Sequence, residues 1–278
     1  MCLEKKGVKN MLAKLILWFV EFSLFSHKIV RSEYGGKTEF VNDTDLKQLE
    51  AYNNEVFSDY LSYIDKFYIN KSLSEINICE VGTGKSLGVA LRFLQMGAHV
   101  TTIDRFDHVQ DRDLEIENYC RKHGYKFEKF SDSEFLIDGK RLSILVTPLE
   151  YSNLDLVGKF DLVVSRATFE HLENVKKCFD NLYQYSNSNA CHIHEIDHRD
   201  HGIFSHFKIV TNMWFHNVSN ENWALVISAI PGIPNKIDRF EFERYFREAG
   251  FRIKGNVSKF DNSDEVSIQC VQKISNPA

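Results

Sequence analysis

Glu80-Val81-Gly82-Thr83-Gly84-Lys85-Ser86-Leu87-Gly88 is the stretch whose reading decides the fold. It begins inside Ile76–Val81 (INICEV), a short apolar run that reads as a buried strand, and leads into Leu87–Met96, a helical run ended by Gly97. Two glycines between a strand and a helix let the backbone turn tightly and approach a ligand closely. The helix N-terminus adds unpaired N–H donors.

Outward from this turn, short strands alternate with helices. Strands are expected at His99–Asp104, Leu142–Val146, Phe160–Ser165 and Ala190–Ile196, and helices at Leu114–His123 and Val175–Tyr185. Strands separated by helical runs imply a doubly wound, mostly parallel α/β sheet. Near the C-terminus, Arg239–Ala249 reads as a helix capped by Gly250. Phe251–Val257 and Glu265–Val271 read as two final strands joined as an antiparallel hairpin. Upstream, Leu46, Leu49, Tyr52, Val56, Tyr60 and Tyr63 recur at helical spacing within 45–67.

A chain of 278 residues fits one large domain with elaborations; 43% hydrophobic and 26% charged residues are ordinary for a protein with a real core. The net charge of −5 leaves no basic field to recruit nucleic acid. Cys2, Cys79, Cys120, Cys178, Cys191 and Cys270 are scattered without CxxC spacing, which points away from disulfides and thiolate zinc and towards a cytoplasmic setting. Met11–Phe25 is apolar but interrupted by Lys14 and Glu21, short of the ~18 residues a spanning helix needs. It is read as a helix over the main domain, with contact to a membrane surface and a targeting segment as the lesser alternatives. Residues 1–75 are thus expected to form an N-terminal helical cover and 76–278 the ligand-binding domain. The aromatic-rich segment 204–234 is expected to contribute to an acceptor pocket.

Two carboxylates choose the ligand. Asp104 ends the second strand, twenty residues beyond Gly84, where a carboxylate can accept hydrogen bonds from both hydroxyls of a ribose. Glu80 lies two residues before the first glycine, where it would repel a pyrophosphate. S-adenosylmethionine (SAM) carries no phosphate, and its ammonium and sulfonium are cationic, so Glu80 favours SAM over a dinucleotide.

Glu80–Gly88, Asp104, Phe160-Asp161-Leu162-Val163-Val164-Ser165 and Glu170-His171-Leu172 together resemble the class I SAM-dependent methyltransferases over about 76–196. The resemblance implies a Rossmann-like, seven-stranded sheet with a reversed C-terminal hairpin. It also implies that Glu80, Gly82, Thr83 and Gly84 surround the methionine moiety and that Asp104 holds the ribose. Arg105 and Phe106 would lie beside the adenine. Thr147 and Pro148 occupy the family's third motif but lack its frequent acidic residue, and Ser165 and Arg166 would face the methyl group. A narrower likeness rests on Glu33-Tyr34-Gly35-Gly36, Asp104-Arg105-Phe106, Ser165-Arg166-Ala167, Ile196–His201 and Pro234-Asn235-Lys236. It is similar to bacterial methyltransferase-domain proteins of surface-sugar or secondary-metabolite pathways.

The run Cys191-His192-Ile193-His194-Glu195-Ile196-Asp197-His198-Arg199-Asp200-His201 is unusual in its histidines. At a strand's carboxyl end, His194, Asp197, Arg199, Asp200 and His201 could orient an acceptor and take its proton, since histidine titrates near neutrality. His171 is a further acid/base candidate. Metal ligation by His192 and His194, or plain loop hydrogen bonding, would use the same residues, and no metal is assigned. Trp214, Phe215 and Trp223 line a pocket or pack a helix, and Arg166 and Arg199 grip an anion or form ion pairs. The activity expected is methyl transfer from SAM to a small-molecule acceptor, with self-association as a homodimer left open. The alternatives are other SAM chemistry, such as a cyclase releasing methylthioadenosine, and a non-catalytic SAM-binding module.

Overall fold

The computed structural model describes residues 43–67, 72–109, 111–199, 213–223, 234–258 and 266–274. The expected N-terminal helix at 11–25, Asp200, His201 and most of 204–234 lie outside the described residues.

The described elements run α1 (Asp43–Phe67), β1 (Asn77–Val81), α2 (Gly88–Gln95), β2 (His99–Asp104), α3 (Arg112–His123), β3 (Phe127–Ser131) and β4 (Glu134–Ile137). They continue with β5 (Lys140–Val146), β6 (Phe160–Arg166), α4 (Val175–Tyr185), β7 (Ser186–Asp197), α5 (Arg239–Glu248), β8 (Phe251–Ser258) and β9 (Val266–Lys273). The nine strands form one sheet in the order β3-β4-β5-β2-β1-β6-β7-β9-β8. The seven expected strands are contiguous within it. The pairs β1–β2, β1–β6, β2–β5 and β6–β7 are parallel, and β9 runs antiparallel to both β7 and β8. The order reverses at β1, and in such sheets the crevice beyond the strands' carboxyl ends at that point is where ligands bind.

The remaining two strands correct the expected count. β3 and β4 form an antiparallel hairpin, and β4 pairs with β5 through a turn at Asp138-Gly139. Both turn residues have positive φ, 48° and 83°, the geometry an Asp-Gly hairpin turn requires.

Both faces of the sheet are covered, which explains why its central strands are continuous apolar runs. On one face Val56, Tyr60 and Ile64 of α1, Leu91 and Phe93 of α2 and Ile116 of α3 pack on Ile78, Val100 and Val164. On the other, Phe179 and Leu182 of α4 and Phe242 and Phe246 of α5 pack on Cys79, Val163 and Val271. The successive residues Ile78 and Cys79 therefore enter opposite cores, as strand alternation demands. Glu80 returns to the α1 side at the carboxyl end.

Candidate active site

The carboxyl ends of β1, β2 and β6 bring together most of the residues expected to hold a cofactor. Gly82 and Gly84 adopt φ of +79° and +66°, a region that favours glycine. The loop is tied back to the sheet by Gly82 N donating to Ile103 O at 2.8 Å. A Cβ on Gly84 would meet nothing within 4 Å, so open space lies against its backbone.

Asp104 faces that loop. One carboxylate oxygen accepts from Gly84 N and the other from Phe106 N, each at 3.0 Å. A carboxylate offers about four lone-pair sites, so capacity for two more donors remains. Beside it lies a shallow crevice open to solvent and lined by Thr83, Gly84, Asp104, Phe106, Val109 and Val146 among others. Phe106 is 50% exposed at its mouth, an apolar ring left in water beside the Asp104 carboxylate. Arg105 turns towards Glu173 (2.8 Å) and is not among the crevice residues. Thr147 and Pro148 are half-buried behind it, with Thr147 N bonded to Asp104 O at 2.7 Å.

Glu80 is 5% exposed, and its Oε2 has no hydrogen-bond partner. Burial first, then the negative charges of Asp104 and Glu115, push its carboxyl up to about 8. An unpaired buried carboxyl is unfavourable by itself; a cation placed against it would reverse that. The residues present therefore fit a ligand carrying an ammonium, a ribose and an apolar base, as SAM does.

Arg166 ends β6 with all three guanidinium nitrogens engaged. Nε lies 3.3 Å from Glu195, and the terminal nitrogens lie 3.1 Å from Asp59 and from Glu55. Asp59 and Glu55 belong to α1, so α1 crosses the carboxyl edge and is pinned there. Arg199 is paired with Asp197 through Nε (2.8 Å) and a terminal nitrogen (2.6 Å).

Ser165 and His194 are both fully buried. Ser165 Oγ is 2.8 Å from His194 Nδ1, His194 Nε2 is 3.4 Å from His192 Nδ1, and His192 Nε2 is 2.7 Å from Ser186 Oγ. The His194 ring stacks on Phe246 and meets Phe169 edge-on. Burial holds it neutral, with its pKa pushed down to about 3, and it lowers His192 as well. This is a hydrogen-bonded chain inside the α4–α5 core, directed away from the crevice. His171 ends a short 3₁₀ turn (Phe169–His171) after β6. Phe215 and Trp223 are buried against each other, ring centroids 5.1 Å apart, with Trp223 Nε1 donating to Pro234 O. Among the described residues no His/Cys/Asp/Glu group has the arrangement of a metal site, and no helix is long and apolar enough to cross a membrane.

Sequence reasoning passed over Asn53, Ser86, Glu115, Thr168 and Glu195, which shape the site from neighbouring segments. Of these Ser86 and Glu195 stand within stretches quoted above and Thr168 directly follows one, whereas Asn53 and Glu115 stand in no motif.

The doubly wound sheet reversing at β1, with a positive-φ glycine turn, a buried carboxyl beside it and Asp104 facing the turn, has the Rossmann-like fold of the SAM-dependent methyltransferase class. Residues 52–254 match the family described as "Methyltransferase domain", and the chain belongs to that family. Its cofactor is SAM. Among solved structures it is similar to magnesium protoporphyrin IX methyltransferase from Synechocystis PCC 6803 with bound S-adenosylhomocysteine (SAH). That likeness has a TM-score of 0.51 and 13% identity, and covers 85% of this chain and 90% of that one. It is also similar to a protein from Bacillus halodurans C-125 provisionally assigned as a methyltransferase (TM-score 0.50, 11% identity, 79% and 99% covered). At these identities the likeness shows the fold alone. No curated protein matches the sequence, and the narrower likeness to surface-sugar and secondary-metabolite proteins stays an expectation.

Proposed function

We propose that the protein moves the SAM methyl group to a small-molecule acceptor at the carboxyl edge of β1, β2 and β6. The observation that carries this reading is Glu80, a carboxyl 5% exposed with an unpartnered oxygen, beside a glycine turn with open space over Gly84. When bound, SAM supplies an electrophilic methyl on a sulfonium.

The protein's part is to bind, orient and exclude water. Glu80 would meet the methionine ammonium, and the backbone at Gly82, Thr83 and Gly84 would lie along the methionine moiety. Asp104 would take the ribose hydroxyls, with Phe106 and Val146 against the base. Ser165, bonded to His194, keeps the end of β6 in place behind the methyl position. With its nitrogens committed to Glu55, Asp59 and Glu195, Arg166 serves to hold α1 over the site and is left out as an acceptor anchor. Residues 1–75 then act as cover, 76–278 as the SAM domain and 204–234 as the acceptor side. Where the acceptor is a hydroxyl, His201 with Asp200 is the base of this proposal. His194 is set aside because its ring has no exposure.

Incubating the purified protein with SAM and a fractionated small-molecule extract tests the reading by its product. Acceptor-dependent SAH supports it. Methylthioadenosine would replace it with the cyclase alternative, and failure to bind SAM or SAH would remove it.

A further inference from the structure

Ser86 lies two residues beyond Gly84 and is 6% exposed. Its hydroxyl donates to Glu115 Oε1 at 2.6 Å and accepts from Asn53 Nδ2 at 2.9 Å and from Gly88 N at 3.0 Å. One donor and two acceptors are all a serine hydroxyl has, so every valence is used. Glu115 Oε1 also accepts from Leu87 N at 3.0 Å. That bond satisfies the backbone N–H of Leu87, the N-cap of α2, whose side chain makes no cap bond of its own. Three separate segments meet at this point: α1 through Asn53, the glycine loop through Ser86 and α3 through Glu115. The approach of α1 is close enough that a Cβ on Gly88 would sit 2.2 Å from Asn53 Nδ2.

We propose that Asn53, Ser86 and Glu115 are positioning residues that set cofactor affinity by holding the glycine loop in its binding conformation without touching the cofactor. The proposal rests on the cofactor site described above. The first N–H groups of α2, at Leu87 and Gly88, are consumed by Glu115 and Ser86 and are not offered to a ligand. Ser86 anchors the loop's downstream end while Asp104 holds Gly84 N, so the loop's shape is fixed at both ends. A fully satisfied buried network is rigid; a partly satisfied one is not. Released from the anchor, the loop would have to be ordered by the cofactor itself, and affinity falls by that entropy while bound-state chemistry is kept.

The test is calorimetric titration of SAH into the full-length protein and its variants, together with thermal melting. Ser86→Ala and Glu115→Ala are expected to weaken SAH by about fivefold to fiftyfold. Glu115→Gln, which keeps an oxygen to accept from Ser86 and Leu87, is expected to recover most of that loss. Asn53→Ala removes a single bond from an α1 side chain and gives a smaller loss, keeping the test usable if the loop variants fold poorly. Lowered melting temperatures with wild-type SAH affinity in Asn53→Ala and Glu115→Ala would overturn the proposal as purely structural. So would a Glu115→Gln variant as weak as Glu115→Ala. Wild-type protein that does not bind SAH would overturn the cofactor-site reading along with it.

Discussion

Thr168 presses against Gly82 so closely that a Cβ at position 82 would lie 2.0 Å from Thr168 Oγ1 and 2.7 Å from its Cγ2. Thr168 cannot simply swing away, since its hydroxyl donates to Arg166 O (3.0 Å) and reaches Val81 O (3.3 Å). The contact ties the turn after β1 to the turn after β6, the two edges between which methyl donor and acceptor meet in the proposed function. Gly82→Ala would add this clash to a φ of +79°, a conformation that costs an L-residue about 1–2 kcal/mol. SAH affinity is expected to fall at least about tenfold, with a lower melting temperature. A Gly82→Ala protein that binds and melts like wild type would show that the two turns are not held together as described.

Asp104 is expected to dominate nucleoside affinity. Charge-assisted hydrogen bonds contribute roughly 1.5–3 kcal/mol each, and Asp104→Ala also removes the acceptors of Gly84 N and Phe106 N. SAH binding should weaken more than about tenfold by calorimetry. Unchanged affinity in Asp104→Ala refutes the ribose role.

Much of this arrangement was legible because its signals are local. The glycine turn, the strand-terminal Asp104 and the helix–strand alternation each occupy a few consecutive residues, and all took their expected places in the sheet. The hairpin β3–β4 was missed although Asp138-Gly139, which joins it to β5, is a strong turn signal. Its strands are short and half-exposed, so apolar periodicity is faint there. The histidines of β7 misled for a different reason. Residues 190 to 196 are all buried, so alternation could not say which side chains face the crevice, and His194 sits in the α4–α5 core bonded to Ser165 of the neighbouring strand. Arg166, legible as an anion grip, is instead neutralised by carboxylates more than a hundred residues upstream on α1. Glu115 reaches the glycine loop from 28 residues away. Such pairings depend on how helices dock, and no motif spacing announces them.

Glu80 makes cofactor binding proton-linked. Its carboxyl, raised mainly by burial to about 8, is largely protonated in the ligand-free protein near neutrality, and a cationic ammonium stabilises its ionised form. Binding below that pH must therefore release a proton, nearly one at about pH 7. Titrations of SAH in buffers of different ionisation enthalpy measure this directly, and Glu80→Gln should abolish the release. The stability sign follows from the same shift. A carboxyl whose folded pKa lies above its unfolded 4.5 favours the folded state at low pH, an advantage lost as pH rises towards about 8. No buffer dependence in wild-type protein would mean that Glu80 is already ionised or does not meet the ammonium.

His194 gives the opposite slope. Burial lowers its pKa from 6.5 to about 3, so the unfolded chain binds a proton that the folded chain refuses. The stability gained by keeping the ring neutral is full above 6.5 and is lost as pH falls from there towards 3. Glu80 and Glu170, both raised by burial, act in the reverse sense, so the wild-type profile alone does not isolate the histidine. The difference between wild type and His194→Gln does. Glutamine can still bond Ser165 but carries no titrating proton, so the difference in unfolding free energy should shift against wild type between about pH 7 and pH 5. Denaturant melts at the two pH values measure it. A pH-independent difference would place His194 in contact with solvent, and would return it to the candidates for the acceptor's base.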